Sequence, residues 1–148
     1  YEVGTDAGTR SPFRLGREWA LGRSLDGALL HAAAAALLGE HDFTAYSVRG
    51  QVKAHHRCRL EMAQWEPRAD GTGWRFRVAA DRFLHHMVRM LVGTMVDVGR
   101  GRRPLDDVVR LLDRADNDDT SPPAPAEGLY FEAAEYAAAW YAPEVPLP

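Results

Sequence analysis

The chain of 148 residues holds a single cysteine, Cys58. One thiol makes no internal disulfide and no multi-cysteine zinc site. A disulfide-stapled secreted scaffold is therefore excluded, and a reducing cytoplasm is the expected compartment. No apolar run approaches the ~18–20 residues that cross a bilayer, so no transmembrane helix and no membrane partner are expected. No charged start leads into an apolar stretch of the kind that opens a secretory signal. The sequence also lacks G-x-x-x-x-G-K, G-x-S-x-G, HExxH and any paired-carboxylate motif. His55-His56 and His85-His86 are adjacent pairs, whose members point to different sides of a helix or strand. Neither pair chelates as it stands, so no metal is expected and a metal hydrolase is disfavoured. Lysine is almost missing, with Lys53 against 17 arginines.

What remains is an ordinary globular composition, 46% hydrophobic, too apolar for a disordered chain. Its length suits one domain. The expected division is a single α+β domain over 1–136 and a Pro-rich surface tail over 137–148. The net charge of -3 conceals an uneven distribution. Residues 1–48 carry 4 basic and 6 acidic side chains, 49–103 carry 12 and 5, and 104–148 carry 2 and 10. A basic middle between acidic flanks suits an anion-binding face, unless the blocks interleave in space and cancel.

Period and punctuation give the elements. Tyr1-Glu2-Val3 reads as the end of a strand, and residues 4–23 as irregular chain. Asp26 to Leu38 reads as a helix capped by Ser24 or Asp26 and closed by Gly39, with Leu25, Leu29, Leu30, Ala33, Leu37 and Leu38 as its apolar face. Cys58, Leu60 and Met62 alternate with Arg57, Arg59 and Glu61. After a turn at residues 70–73, Trp74, Phe76 and Val78 alternate with Arg75 and Arg77. This is a hairpin whose four arginines share the face away from the core. A second helix is predicted from Phe83 to Val98, opened by Asp81. A short third runs from Pro104 to Leu112, a loop fills 116–125, and a last strand covers Gly128 to Tyr136. The fold class is α+β, an antiparallel sheet with helices packed on it.

The second helix is apolar on more than one face, the mark of a buried helix, yet it contains Arg89. His85 one turn before and Gly93 one turn after place the three on one stripe. A guanidinium stays charged near pH 7. If buried it requires an anion, and none lies one turn away on the helix. The alternative is that Arg89 snorkels to water. Past the helix, Gly99-Arg100-Gly101-Arg102-Arg103 either meets phosphate or forms a solvated turn favoured by the helix C-terminal dipole.

Four segments in order carry a resemblance: Gly39-Glu40-His41-Asp42-Phe43-Thr44-Ala45-Tyr46, Phe83-Leu84-His85-His86-Met87-Val88-Arg89-Met90-Leu91-Val92-Gly93, Val98-Gly99-Arg100-Gly101, and Ala124-Pro125-Ala126-Glu127-Gly128-Leu129-Tyr130-Phe131. Together they closely resemble the C-terminal half of the tRNA pseudouridine synthase A (TruA) family. The pattern of Ser11-Pro12-Phe13, Trp19 and Leu25-Asp26 extends it towards the start. The resemblance implies an isomerase that converts uridine to pseudouridine in the tRNA anticodon stem-loop, as a homodimer and with no cofactor. An aspartate nucleophile attacks the nucleotide, the flipped base rotates, and C5 rejoins the sugar. Arg89 matches the arginine that lies against that aspartate, and Leu129 an apolar residue of the uracil pocket. Residues expected to meet RNA are His85, His86, Arg82, Arg57, Arg59, Arg102 and Arg103. Tyr1 matches the second tyrosine of the family's Tyr-x-Tyr strand.

The departure is the nucleophile. The family carries it in Gly-Arg-Thr-Asp-Ala-Gly-Val-His, far upstream of everything matched here. Gly4-Thr5-Asp6-Ala7-Gly8 shares four of those residues but sits in the loop after the Tyr-x-Tyr strand, so Asp6 is not expected to be the nucleophile. The expectation is a C-terminal portion, inactive alone. The competing reading is a non-catalytic RNA-binding α+β module using the Arg57, Arg59, Arg75 and Arg77 face. Few aromatics accompany those arginines for base stacking.

Overall fold

The computed structural model describes residues 1–48 and 55–136. Its five strands are β1 (Glu2–Gly4), β2 (Trp19–Ala20), β3 (Gly39–Asp42), β4 (Arg57–Pro67) and β5 (Gly73–Ala80). They form one sheet in the order β2-β1-β5-β4-β3, antiparallel except for the β1–β2 pair. The helices are α1 (Gly27–Ala35), α2 (Met87–Gly99) and α3 (Asp107–Arg110). This is the α+β architecture that the alternating and helical periods predict. The tail at 137–148 lies outside the described residues.

The β4–β5 hairpin is the sheet's spine. Cys58, Leu60, Trp65 and Phe76 point to the core and are almost fully buried. Trp65 and Phe76 are cross-strand partners with ring centroids 5.0 Å apart, the pairing that contributes most on a half-buried sheet face. Met62 departs from the predicted alternation. A bulge between Leu60 and Met62 inserts one extra residue, turns Met62 partly outward and hands its inward position to Ala63.

Two helices cover that face. The carboxylate of Asp26 accepts from the Leu29 amide at 3.1 Å and caps α1. Leu30, Ala33, Ala34 and Leu37 are buried, whereas Leu38 is exposed. Helix α2 runs through the middle: nine of its side chains from Met87 to Val98 are buried. The Trp65 indole donates to the Met95 thioether. Gly99 gives Leu30 and Leu25 room to approach.

The elements depart from expectation at several places. Strand β3 was not expected; Gly39-Glu40-His41-Asp42 has no strand propensity and forms because it pairs with Arg57–Leu60 along the edge of β4. The α2 helix begins at Met87 rather than Phe83, because His86 adopts a left-handed backbone with φ 64°. Asp81 does not open it; its carboxylate accepts the Arg59 amide at 2.9 Å and belongs to the hairpin. Residues 129–136 form no strand. The neighbouring edge of β5 is already taken by β1, so this segment lies across the start of the chain instead.

The β1–β2 loop is pinned by a buried carboxylate. Glu18 accepts from the Thr9 hydroxyl at 2.5 Å, pairs with Arg14 at 2.7 Å, and also pairs with Arg68 from the far end of β4. Burial of that charge is tolerable only because two guanidiniums and a hydroxyl surround it.

Candidate active site

A half-open cleft of about 300 Å³ lies at the N-terminal end of α2. Its walls are Tyr1, Phe76 and Val78 from the sheet, Leu84, His86, Met87, Val88 and Arg89 from the start of the helix, and residues 129–133. The interior is mainly apolar, which suits a flat ring more than a fully hydrated group.

Arg89 is the third residue of α2, not its middle, as a consequence of the late helix start. Its side chain is therefore near the exit of the first turn and reaches the cleft half-buried. Its Nε donates to the Ala124 carbonyl at 2.6 Å, and its own carbonyl accepts the Ala124 amide at 2.9 Å. This two-way clasp depends on Gly93, one turn along, where a Cβ would lie 2.2 Å from the Pro122 oxygen. No carboxylate of the described residues forms an ion pair with Arg89. The first amides of α2 add their partial positive charge at the same end. A guanidinium and a helix N-terminus in one apolar cleft form a strong site for an anion.

His86, rather than His85, is the histidine beside Arg89: its Nε2 is 3.5 Å from Nη1. Because both histidines precede the helix, the expected stripe of His85, Arg89 and Gly93 does not form. The His85 ring lies 4.2 Å from that of His86 but is exposed and outside the cleft wall. Burial, then the charges of His85 and Arg89, lower the His86 pKa below its usual value. Leu129 lines the cleft with 42% of its surface open.

Tyr1 is the wall residue whose place the sequence left open. Its hydroxyl donates to the Pro125 carbonyl at 2.5 Å, and its ring rests against Gly128, where a Cβ would meet it at 2.7 Å. Burial raises the Tyr1 hydroxyl well above its ordinary pKa, with the Arg89 charge opposing. Its match to a family tyrosine was the only signal for it. Leu84, Met87 and Ala124 lie in the matched segments, but nothing in the sequence assigned them to the cleft.

The remaining residues expected to meet RNA lie elsewhere. Arg82 donates to the His55 carbonyl at 2.9 Å. Arg57 and Arg59 do share the outer sheet face with Arg75 and Arg77. Yet Arg57 pairs with Glu40 at 3.4 Å, Arg75 with Glu2 at 2.6 Å and Arg77 with Glu132 at 2.7 Å. That face is a lattice of alternating charges. Arg103 is held by Asp107 at 3.1 Å and the Asp119 carbonyl at 2.6 Å, while Arg102 reaches Asp97 only at 4.0 Å. Asp6 caps the turn at Ala7–Arg10 and pairs with Arg14 at 2.7 Å, outside the cleft. The hydrogen bond from Arg14 holds its carboxyl below the usual carboxylate range. Among the described residues, no group of three or more His, Cys, Asp or Glu side chains is placed to hold a metal ion, and no helix is long and apolar enough to cross a membrane.

Fold and cleft thus define an α+β protein with a mainly apolar cleft at a helix start, into which one guanidinium reaches. The family model described as tRNA pseudouridine synthase matches residues 33–137. The chain is 43% identical over 122 residues to tRNA pseudouridine synthase A of Xanthomonas euvesicatoria pv. vesicatoria (strain 85-10), covering 82% of this chain and 46% of that protein. It is 38% identical over 141 residues to tRNA pseudouridine synthase A of Burkholderia multivorans (strain ATCC 17616 / 249), covering 93% of this chain and 50% of that protein. A third relative of the same name, from Stenotrophomonas maltophilia (strain K279a), is 39% identical over 122 residues, covering 82% of this chain and 46% of its own length. The chain belongs to the tRNA pseudouridine synthase family. It spans about half the length of the curated relatives it matches.

Proposed function

We propose that this chain forms the uridine-holding half of a tRNA pseudouridine synthase acting, without a cofactor, on the anticodon stem-loop. The catalytic carboxylate is contributed by polypeptide beyond the residues seen here. Arg89 carries the reading, as a cation in an apolar cleft at a helix N-terminus with no carboxylate of the described residues paired to it. An incoming aspartate would be held ionised by the guanidinium, ready to attack the nucleotide. The carboxylate oxygen bonds to C1′ as the N1–C1′ bond breaks, the uracil turns within the cleft, and C5 bonds to C1′ as the carboxylate is released. The C5 proton is then lost and N1 gains one, so the reaction is an isomerisation. Leu129, Met87 and Val88 offer the apolar surface on which a detached ring can turn, and Tyr1 closes one side. Assembly as a homodimer and a cytoplasmic location belong to the same proposal.

The outer sheet face gives little support to the RNA-binding module, because three of its four arginines are paired with carboxylates. The test joins this chain to the upstream half of a relative and counts pseudouridine formed in a tRNA transcript. Arg89→Met should keep the fold and lower turnover by at least about 100-fold, the scale set by losing one charge stabiliser. Arg89→Lys should recover only part, since a point charge does not reproduce the planar fork. Unchanged turnover in Arg89→Met overturns the assignment.

A further inference from the structure

The β1–β2 loop presents Phe13 with 86% of its surface exposed and Leu15 with 69%. Two large apolar side chains two residues apart on a fixed loop form a small exposed patch of the kind that can mark an interaction surface. The loop is fixed. Its amides and carbonyls close successive turns from Ser11 to Arg17, and Thr5 donates to the Thr72 carbonyl at 2.9 Å. Arg14 ties it to Asp6 and Glu18, each at 2.7 Å, and Arg68 holds Glu18 from β4.

This anchoring also decides the loop's charge. Both of its carboxylates, Asp6 and Glu18, are taken up internally by Arg14 and Arg68. Arg10 and Arg17 are exposed and have no ion-pair partner among the described residues. The loop is fastened to the cleft as well: the Tyr130 hydroxyl donates to the Arg17 carbonyl at 2.7 Å, and Tyr130 belongs to the cleft wall. An exposed aromatic ring and two unpaired guanidiniums are therefore carried by a loop that Tyr130 ties, at Arg17, to the cleft wall.

An apolar protein surface would cover Phe13 but strand the two arginines. Single-stranded RNA satisfies both, because an unstacked base has a π-face and its flanking phosphates are anions. We propose that this loop is a base-stacking RNA contact. Phe13 stacks on an unpaired nucleotide near the one in the cleft, and Arg10 and Arg17 meet the adjacent phosphates. The proposal rests on the reading that the chain acts on tRNA.

Fluorescence anisotropy of this chain with a labelled tRNA transcript, and with a blunt RNA duplex, tests it. Phe13→Ala removes no packing, and circular dichroism should confirm the fold. It should weaken tRNA binding by roughly tenfold without changing the salt slope or duplex binding, and Phe13→Trp should restore affinity. The pair Arg10→Gln and Arg17→Gln should instead flatten the salt slope by about 0.7 per lost contact. If Phe13→Ala binds tRNA like the parent, or loses duplex affinity equally, the loop proposal falls while tRNA binding stands. If sedimentation shows that Phe13→Ala dissociates a dimer, the loop is a contact with a second copy and the proposal also falls. If the parent chain binds no tRNA at all, the loop proposal falls together with the reading beneath it.

Discussion

Replacing Gly93 by alanine tests how the cleft is built. The new Cβ would lie 2.2 Å from the Pro122 carbonyl oxygen and 3.4 Å from the Ala124 amide nitrogen. Both are backbone atoms, and so is the helix beneath, so no side chain can swing aside. Ordinary contact requires about 3.4 Å or more, so the 122–124 segment must retreat by about 1 Å. Arg89 is bound to that segment at 2.6 and 2.9 Å, and a retreat of this size takes both bonds beyond useful range. Overpacking costs about 1–3 kcal/mol and each weakened bond about 1 kcal/mol. Alanine returns about 1 kcal/mol through its better helix propensity. A net loss of about 2–4 kcal/mol is expected in urea unfolding. The Arg89 Nε–H resonance should move as its acceptor withdraws. A variant within about 0.5 kcal/mol of the parent, with that resonance unmoved, would refute the clasp.

Tyr46→Phe removes a buried hydroxyl that donates to the Val108 carbonyl at 3.0 Å, and should cost about 1–3 kcal/mol by leaving that carbonyl unpartnered. Burial raises the Tyr46 pKa, so the folded state keeps a proton that the unfolded chain releases; its contribution is present below about pH 10 and declines above it. The variant should show a flatter alkaline limb, and an identical limb contradicts the assignment. His86 has a lowered pKa, so its contribution is present above about pH 6.5 and fades as pH falls below that value; an NMR titration should place its midpoint under 6.5. A midpoint at or above the ordinary histidine value would mean that the ring does not sit beside Arg89. In a version joined to its upstream half, Asp6→Ala should keep near-normal turnover, because Asp6 serves Arg14 and a turn. A fall of several orders of magnitude would make Asp6 the nucleophile.

The parts of the fold legible in the sequence are those with local causes. The Asp26 cap and the two-residue period of the hairpin are set by nearby residues, whereas the expected closure by Gly39 fails, because α1 ends at Ala35 and Gly39 opens β3. What escaped is set from a distance. Gly39–Asp42 becomes a strand through the β4 edge, and Trp19–Ala20 through two pairs with β1. Residues 129–136 alternate like a strand but meet an edge already occupied, and residues 129–133 instead line the cleft one after another. No periodicity reveals the left-handed turn at His86, which moves the helix start by four residues.

That displacement alters the physical case for the site. The sequence placed Arg89 mid-helix among apolar neighbours, so an anion was required to relieve a buried charge. The structure gives Arg89 a carbonyl partner and partial exposure, so the charge is already tolerable. The proposed anion is favoured there for another reason: the guanidinium and the first turn of α2 place their positive charge in one apolar cleft. The basic middle segment does not form a single patch. Its excess of seven positive charges is drawn down by Glu2, Glu40, Glu132 and Asp107, all from the acidic flanks. Linear charge blocks cancel wherever a sheet or helix turn brings distant segments together. Arg89 keeps an uncancelled charge because the segment folded against it, Pro122 to Pro125, contains no acidic side chain and offers only backbone oxygens.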